Sequence, residues 1–133
     1  MIGRNAVSAA QGCIGLDVSQ RRIARHLWKE TSSALQKLER DRADILSRMG
    51  SWPLHEDCQL AQQASACQIA SHTTALLEQV AELTQNVQLQ VEWVQRASRK
   101  LVWQVLSPDQ MAQLTCFTWP IVPDLLHVLR ILV

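Results

Sequence analysis

The sequence predicts an all-α fold: a helical hairpin with one long amphipathic arm, followed by two short C-terminal helices of bundle or coiled-coil type. Three observations predict it. Between Ile69 and Val105, apolar residues recur at alternating steps of three and four, which lays one stripe along a helix. The four glycines and four prolines fall near the ends of the periodic stretches. Finally, Ser107-Pro108-Asp109-Gln110 joins a serine cap, a proline at the first helical position and a glutamine three residues after the cap. It is the sharpest local helix start in the chain.

Taken in order, residues 1–18 carry Gly3, Gly12 and Gly15 and few large apolar side chains, and read as a flexible leader. Ile14, Leu16 and Val18 are its candidates for contact with the body. Residues 19–133 read as a single helical domain. From Ser19, a fair N-cap, to Met49 the residues Ile23, Leu27, Ala34, Leu38, Ile45 and Met49 keep helical spacing, widened by Trp28, Leu35 and Leu46. Arg40 with Asp44, and Asp44 with Arg48, are four apart on the outer face. Gly50-Ser51-Trp52-Pro53 is the expected turn. Residues 54–106 contain no glycine or proline and would run about 80 Å as one rod, longer than a compact domain of this size. A break is therefore expected, with Ser71-His72-Thr73-Thr74 the weakest point by propensity. Short helices follow over 107–119, ended by Trp119-Pro120, and over 123–132, where Met111, Leu114 and Phe117 are expected to fold back onto the long helix.

In heptads, the long arm places Thr73, Val80, Val87, Val94 and Leu101 at one seam position and Ile69, Leu76, Leu83, Gln90, Ala97 and Gln104 at the other. Valine followed by leucine suits two parallel strands. The same stripe also suits the inner face of an antiparallel hairpin. A solvated zipper wants charge on its flanks, yet these hold His72, Gln79, Asn86, Trp93 and Lys100 on one side and Ala70, Leu77, Thr84, Val91 and Ser98 on the other. Leu77 and Val91 broaden the apolar face, which favours a bundle.

Thirteen Lys and Arg stand against twelve Asp and Glu, a formal net charge of +1, so the totals argue for neither a polyanion nor an acidic membrane as partner. Two local basic groups exist. Arg21, Arg22, Arg25, His26 and Lys29 open the first helix, against its dipole. Trp93, Arg96, Lys100 and Trp103 share about a quarter of a helix circumference, the pattern of a stacking and charge surface for single strands. The competing reading covers these tryptophans with the C-terminal helices, with the cationic stems lying across the rings. Cys13, Cys58, Cys67 and Cys116 fit no metal or redox spacing and read as reduced thiols. His55-Glu56-Asp57-Cys58 has no second ligand pair at metal spacing, and the chain carries no phosphate loop, nucleophile elbow or His-Glu-x-x-His. No enzyme activity, metal or cofactor is expected.

Leu76 to Asn86 resembles a leucine zipper. The run Val105-Leu106-Ser107-Pro108-Asp109-Gln110-Met111-Ala112, then Trp119-Pro120 and Val122-Pro123-Asp124, resembles the C-terminal helical region of basic leucine-zipper-like transcription-factor proteins of green algae. The resemblance covers about half of the chain. It implies a nuclear dimerisation part of a transcription regulator, but one departure limits it. Residues 51–95 hold no Lys or Arg, so the cations that would enter the major groove are missing.

The expected function is a non-catalytic, intracellular helical module for protein–protein interaction or dimerisation. Its candidate partner-binding residues are Val80, Leu83, Val87, Val94, Leu101, Trp93, Arg96, Lys100 and Trp103. The expected partner is a second copy, as a homodimer or small oligomer, or another helical protein; specific duplex DNA and membrane are not expected. The alternative is a nucleic-acid-associated protein using the basic-aromatic helix face.

Overall fold

The computed structural model describes residues 14–50, 66–120 and 122–133. Among these there are four α-helices and no strand: α1 Val18–Gly50, α2 Ala66–Lys100, α3 Pro108–Thr118 and α4 Leu125–Leu132. A π-helical segment, Leu101–Val105, continues α2. The fold is all-α, a pair of long helices followed by two short ones. The expected turn beyond Gly50, the His55–Cys58 run, Cys13 and the first part of the leader lie outside the described residues.

The chain forms two compact units, one of residues up to Ala34 with Glu92–Val133, the other Leu35–Val91. The expected break at Ser71–Thr74 is absent, because α2 is regular from Ala66 to Lys100. At this point Thr73 donates to the Ile69 carbonyl and Thr74 to the Ala70 carbonyl, both four residues back at 2.9 Å, so low propensity here is met by local hydrogen bonding.

In the first unit, Leu101, Leu114 and Leu129 are fully buried, with Ile14, Leu16, Leu27, Val105, Leu106 and Val128 around them. Each buried side chain of this size contributes roughly 1.5–3 kcal/mol before entropy. Ile14 and Leu16 therefore belong to the core, whereas Val18 is exposed. The cap of α1 is Asp17, not Ser19: the carboxylate accepts from the Gln20 amide at 2.7 Å and from the Ser19 hydroxyl at 2.8 Å. The Gln20 side chain returns the favour by accepting from the Asp17 amide at 3.0 Å. This is a capping box with aspartate in the serine role. Ser107 and Gln110 form the second box, as the sequence predicts.

The two boxes are tied to each other. Gln20 Nε2 donates to Gln110 Oε1 at 2.8 Å and to the Val105 carbonyl at 2.7 Å, while Gln110 Nε2 donates to the Gly15 carbonyl at 2.8 Å. Two helix starts and the end of the π segment thus satisfy one another's orphan groups. The π segment itself changes which residues face the core. A strict heptad continues from Leu101 to Gln104, but the wider π turn buries Val105 and Leu106 and leaves Gln104 exposed. From α3 Leu114 is buried and Met111 packs on the core, but Phe117 is nearly half exposed and Thr118 takes the inner position.

In the second unit the two long helices run antiparallel. The inward residues of α1 are Leu35, Leu38, Arg42, Ile45 and Met49, and those of α2 are His72, Leu76, Gln79, Leu83, Asn86 and Gln90. Both sets step by three and four, the spacing of a left-handed helix pair. Among their apolar members Leu38 and Ile45 are buried, and the others are partly exposed.

Candidate interaction face

The inner seam of the Leu35–Val91 unit is nearly half polar, and three of its polar residues, Arg42, Asn86 and Gln90, are partnered with one another. Buried Asn86 donates from Nδ2 to the Leu38 carbonyl at 2.9 Å and accepts at Oδ1 from Arg42 Nε at 3.0 Å. Arg42 also donates from Nη2 to Gln90 Oε1. At the neighbouring level Arg48 bridges to Glu82 at 2.9 Å and to Asp44 at 3.5 Å. The expected Arg40–Asp44 pair is replaced by an Arg40 Nε bond to the Gln36 carbonyl at 3.4 Å. These groups fix which level of α1 faces which level of α2.

With that seam facing α1, the valines of the sequence-level seam point elsewhere. Leu77, Val80, Val87 and Val91 are 65%, 46%, 45% and 50% exposed. Together with Thr73 and Thr84 they step by four and three along α2, a second heptad stripe about 100° round the helix from the buried one. Thr84 turns its hydroxyl onto the Val80 carbonyl at 2.9 Å, as Thr73 does to Ile69, so the stripe is apolar through its threonines. The positions flanking it, Thr74, Ala81 and Gln88 on one side and Leu76, Leu83 and Gln90 on the other, carry no charge. Glu78, Glu82 and Glu92 lie off it.

Of the residues singled out from sequence, Val80 and Val87 therefore stand on the outer stripe and Leu83 on the inner seam. In the other unit, Val94 is half-buried and Leu101 is in the core. The expected basic-aromatic surface divides. Trp93 is half-buried beneath the Arg96 guanidinium, 5.0 Å from its ring centroid, and Lys100 approaches Glu30 at 4.0 Å, on the side of α2 that faces α1. Trp103 is 81% exposed and lies in the π segment. The quarter-circumference arc rests on a regular α-helix from Trp93 to Trp103, whereas the helix turns to π geometry after Lys100.

Sequence reasoning set Gln90 on the seam and Asn86 on its flank but missed their partner Arg42; the spacing of four between the two amides, level with Arg42 on the antiparallel helix, is the signal that could have found the cluster. It also passed over Ala43 of α1 and counted Leu46 into the packed stripe, whereas both lie one residue past the inward positions Arg42 and Ile45 and are solvent-exposed. Chemistry of other kinds has little to work with among the described residues. No group of three His, Cys, Asp or Glu is placed to hold a metal ion, and no helix is long and apolar enough to cross a membrane. Cys67 and Cys116 are free, exposed thiols. A shallow depression beside Gln36, Glu39, Arg40 and Ala43 lies on a single helix and gathers no acid–base pair able to share a substrate. The sequence matches no family model, no curated protein and no solved structure.

Proposed function

We propose that this protein is a non-catalytic helical interaction module that works by pairing its outer α2 stripe with another helical surface. The observation that carries the reading is the exposed run Leu77, Val80, Val87 and Val91 at heptad spacing with uncharged flanks. Solitary exposed apolar residues are ordinary on a protein surface, but a contiguous stripe at coiled-coil spacing is the form of a helix-pairing face. The resemblance of the tail to basic leucine-zipper-like proteins is the ground for proposing further that the module belongs to a transcription regulator without its DNA-reading region. Specific duplex DNA is not its partner in this reading, since no cation precedes or flanks the stripe from residue 51 to residue 95.

The test asks whether the stripe is spare to the chain's own fold. The double variant Val80→Asp/Val87→Asp, held dilute, is expected to keep its helical circular dichroism and to melt within a few degrees of the parent, because both side chains are already half in water. Unfolding of the double variant at low concentration would make the stripe an internal core and end the reading.

A further inference from the structure

The outer stripe has an angular relation to the inner seam that identifies what covers it. The two faces of α2 are about 100° apart, near the right angle at which a helix in a four-helix bundle meets its two neighbours. One neighbour is α1. The described residues of this unit hold no third helix, and of their apolar side chains only Leu38 and Ile45 are buried. A second copy supplies two helices at once. We infer that the Leu35–Val91 units of two copies of this chain pack face to face as an antiparallel four-helix bundle, α2 against α2 and α1 against α1. This rests on the reading of the outer stripe as a pairing face and adds its occupant.

Three features of the chain fit that occupant. In an antiparallel pair, the residue following each inward position falls on the same side of both helices, so Gln36, Glu39, Ala43 and Leu46 of α1 share a face with the α2 stripe. The contacts of Arg42 with Asn86 and of Arg48 with Glu82 set the level of one helix against the other. A two-fold axis that sets Thr84 against Val87 of the second copy then sets Leu46 against Ala43, large against small, on the other helix pair. The α2 stripe presents no charge, and Glu39 is the one charged residue among the α1 positions that share its face, so a copy meets a largely uncharged surface and a partner chosen by charge has little there to grip. Finally, β-branched Val80 and Val87 occupy the positions where a parallel two-stranded coil prefers leucine, which disfavours the parallel dimer. Antiparallel packing also opposes the two helix dipoles.

The test uses the full chain with Cys13, Cys58 and Cys116 replaced by serine and a spin label on the exposed Cys67. Sedimentation across a concentration series should show a monomer–dimer equilibrium. Antiparallel docking centred between Thr84 and Val87 places the two labels about 55 Å apart along the bundle, against less than about 30 Å for a parallel pair. Val80→Asp/Val87→Asp should weaken association at least about a hundredfold. Ala43→Arg, on the other helix, should also weaken it while leaving the melting of the dilute monomer unchanged. A chain that stays monomeric, a dimer with the short label distance, or a dimer indifferent to Ala43→Arg would each overturn the inference. Monomeric behaviour together with a folded double variant would reject the second copy as occupant and leave the pairing face for a different helical protein.

Discussion

Thr31 shows how sharply one atom can be judged in a small helical core. It is almost completely buried, and its hydroxyl has no hydrogen-bond partner. An unsatisfied buried hydroxyl costs roughly 1–3 kcal/mol, and valine has nearly the same shape. Thr31→Val should therefore raise stability by about 1 kcal/mol, seen as a melting temperature higher by a few degrees. Asp17 is the opposite case, a surface group whose charge is used. Its carboxyl is held below the ordinary aspartate range, chiefly by the Gln20 amide and next by the Ser19 hydroxyl. A depressed folded-state value means that the stabilisation is present above the ordinary aspartate range and is lost as pH falls through the lowered value. Asp17→Asn keeps a capping oxygen but does not titrate, so the variant should lose this part of the acid sensitivity. Equal acid-limb curves for variant and parent, followed by helicity, would remove the cap from the argument.

At the scale of elements, the two capping boxes join pieces of chain that are ninety residues apart. Gln110→Ala removes the bonds to Ser107, Gln20 and Gly15 together. It should cost about 1–2 kcal/mol, more than a lone cap glutamine on an isolated helix would. Gln20→Ala in the same background should add less than its single effect, because the bond they share is already gone. Additive melting shifts would show that the boxes act separately. The Ser107 box was legible in the sequence because its signal is local: serine, proline and glutamine at fixed offsets. The fold class was legible for the same reason, since a period near 3.6 over more than thirty residues has few other meanings. The inner seam was not. Hydrophobicity ranks Val80 and Val87 above Asn86 and Gln90, yet the amides face α1 because Arg42 and the Leu38 carbonyl satisfy them there, and those partners lie more than forty residues away. The π segment was illegible too, as a single extra residue in a turn leaves no periodic trace.

Over the whole molecule, charge is distributed less evenly than the net +1 suggests. Leu35–Val91 holds four Lys and Arg against seven Asp and Glu, leaving nine against five elsewhere. Two copies that pair through their acidic units bring like net charge together around a largely uncharged face. Raising salt from low to physiological ionic strength should therefore tighten self-association, because screening removes repulsion while apolar contact remains. Sedimentation at several salt concentrations measures this, and dissociation on adding salt would mean that ion pairs hold the copies together.

All of this turns on which side of α2 faces its own chain, and adjacent residues report it most directly. Asn86 and Val87 are neighbours with opposite surroundings, one buried and bonded, the other nearly half exposed. The measurement is thermal unfolding of Asn86→Ala and Val87→Ala at a concentration where the protein is monomeric. Asn86→Ala should lower the melting temperature by several degrees, since it strands Arg42 and costs roughly 1–3 kcal/mol. Val87→Ala should leave it unchanged or slightly raised, because alanine is the better helix former at a solvent position. A large loss from Val87→Ala, with Asn86→Ala tolerated, would put the valines inside and contradict the account.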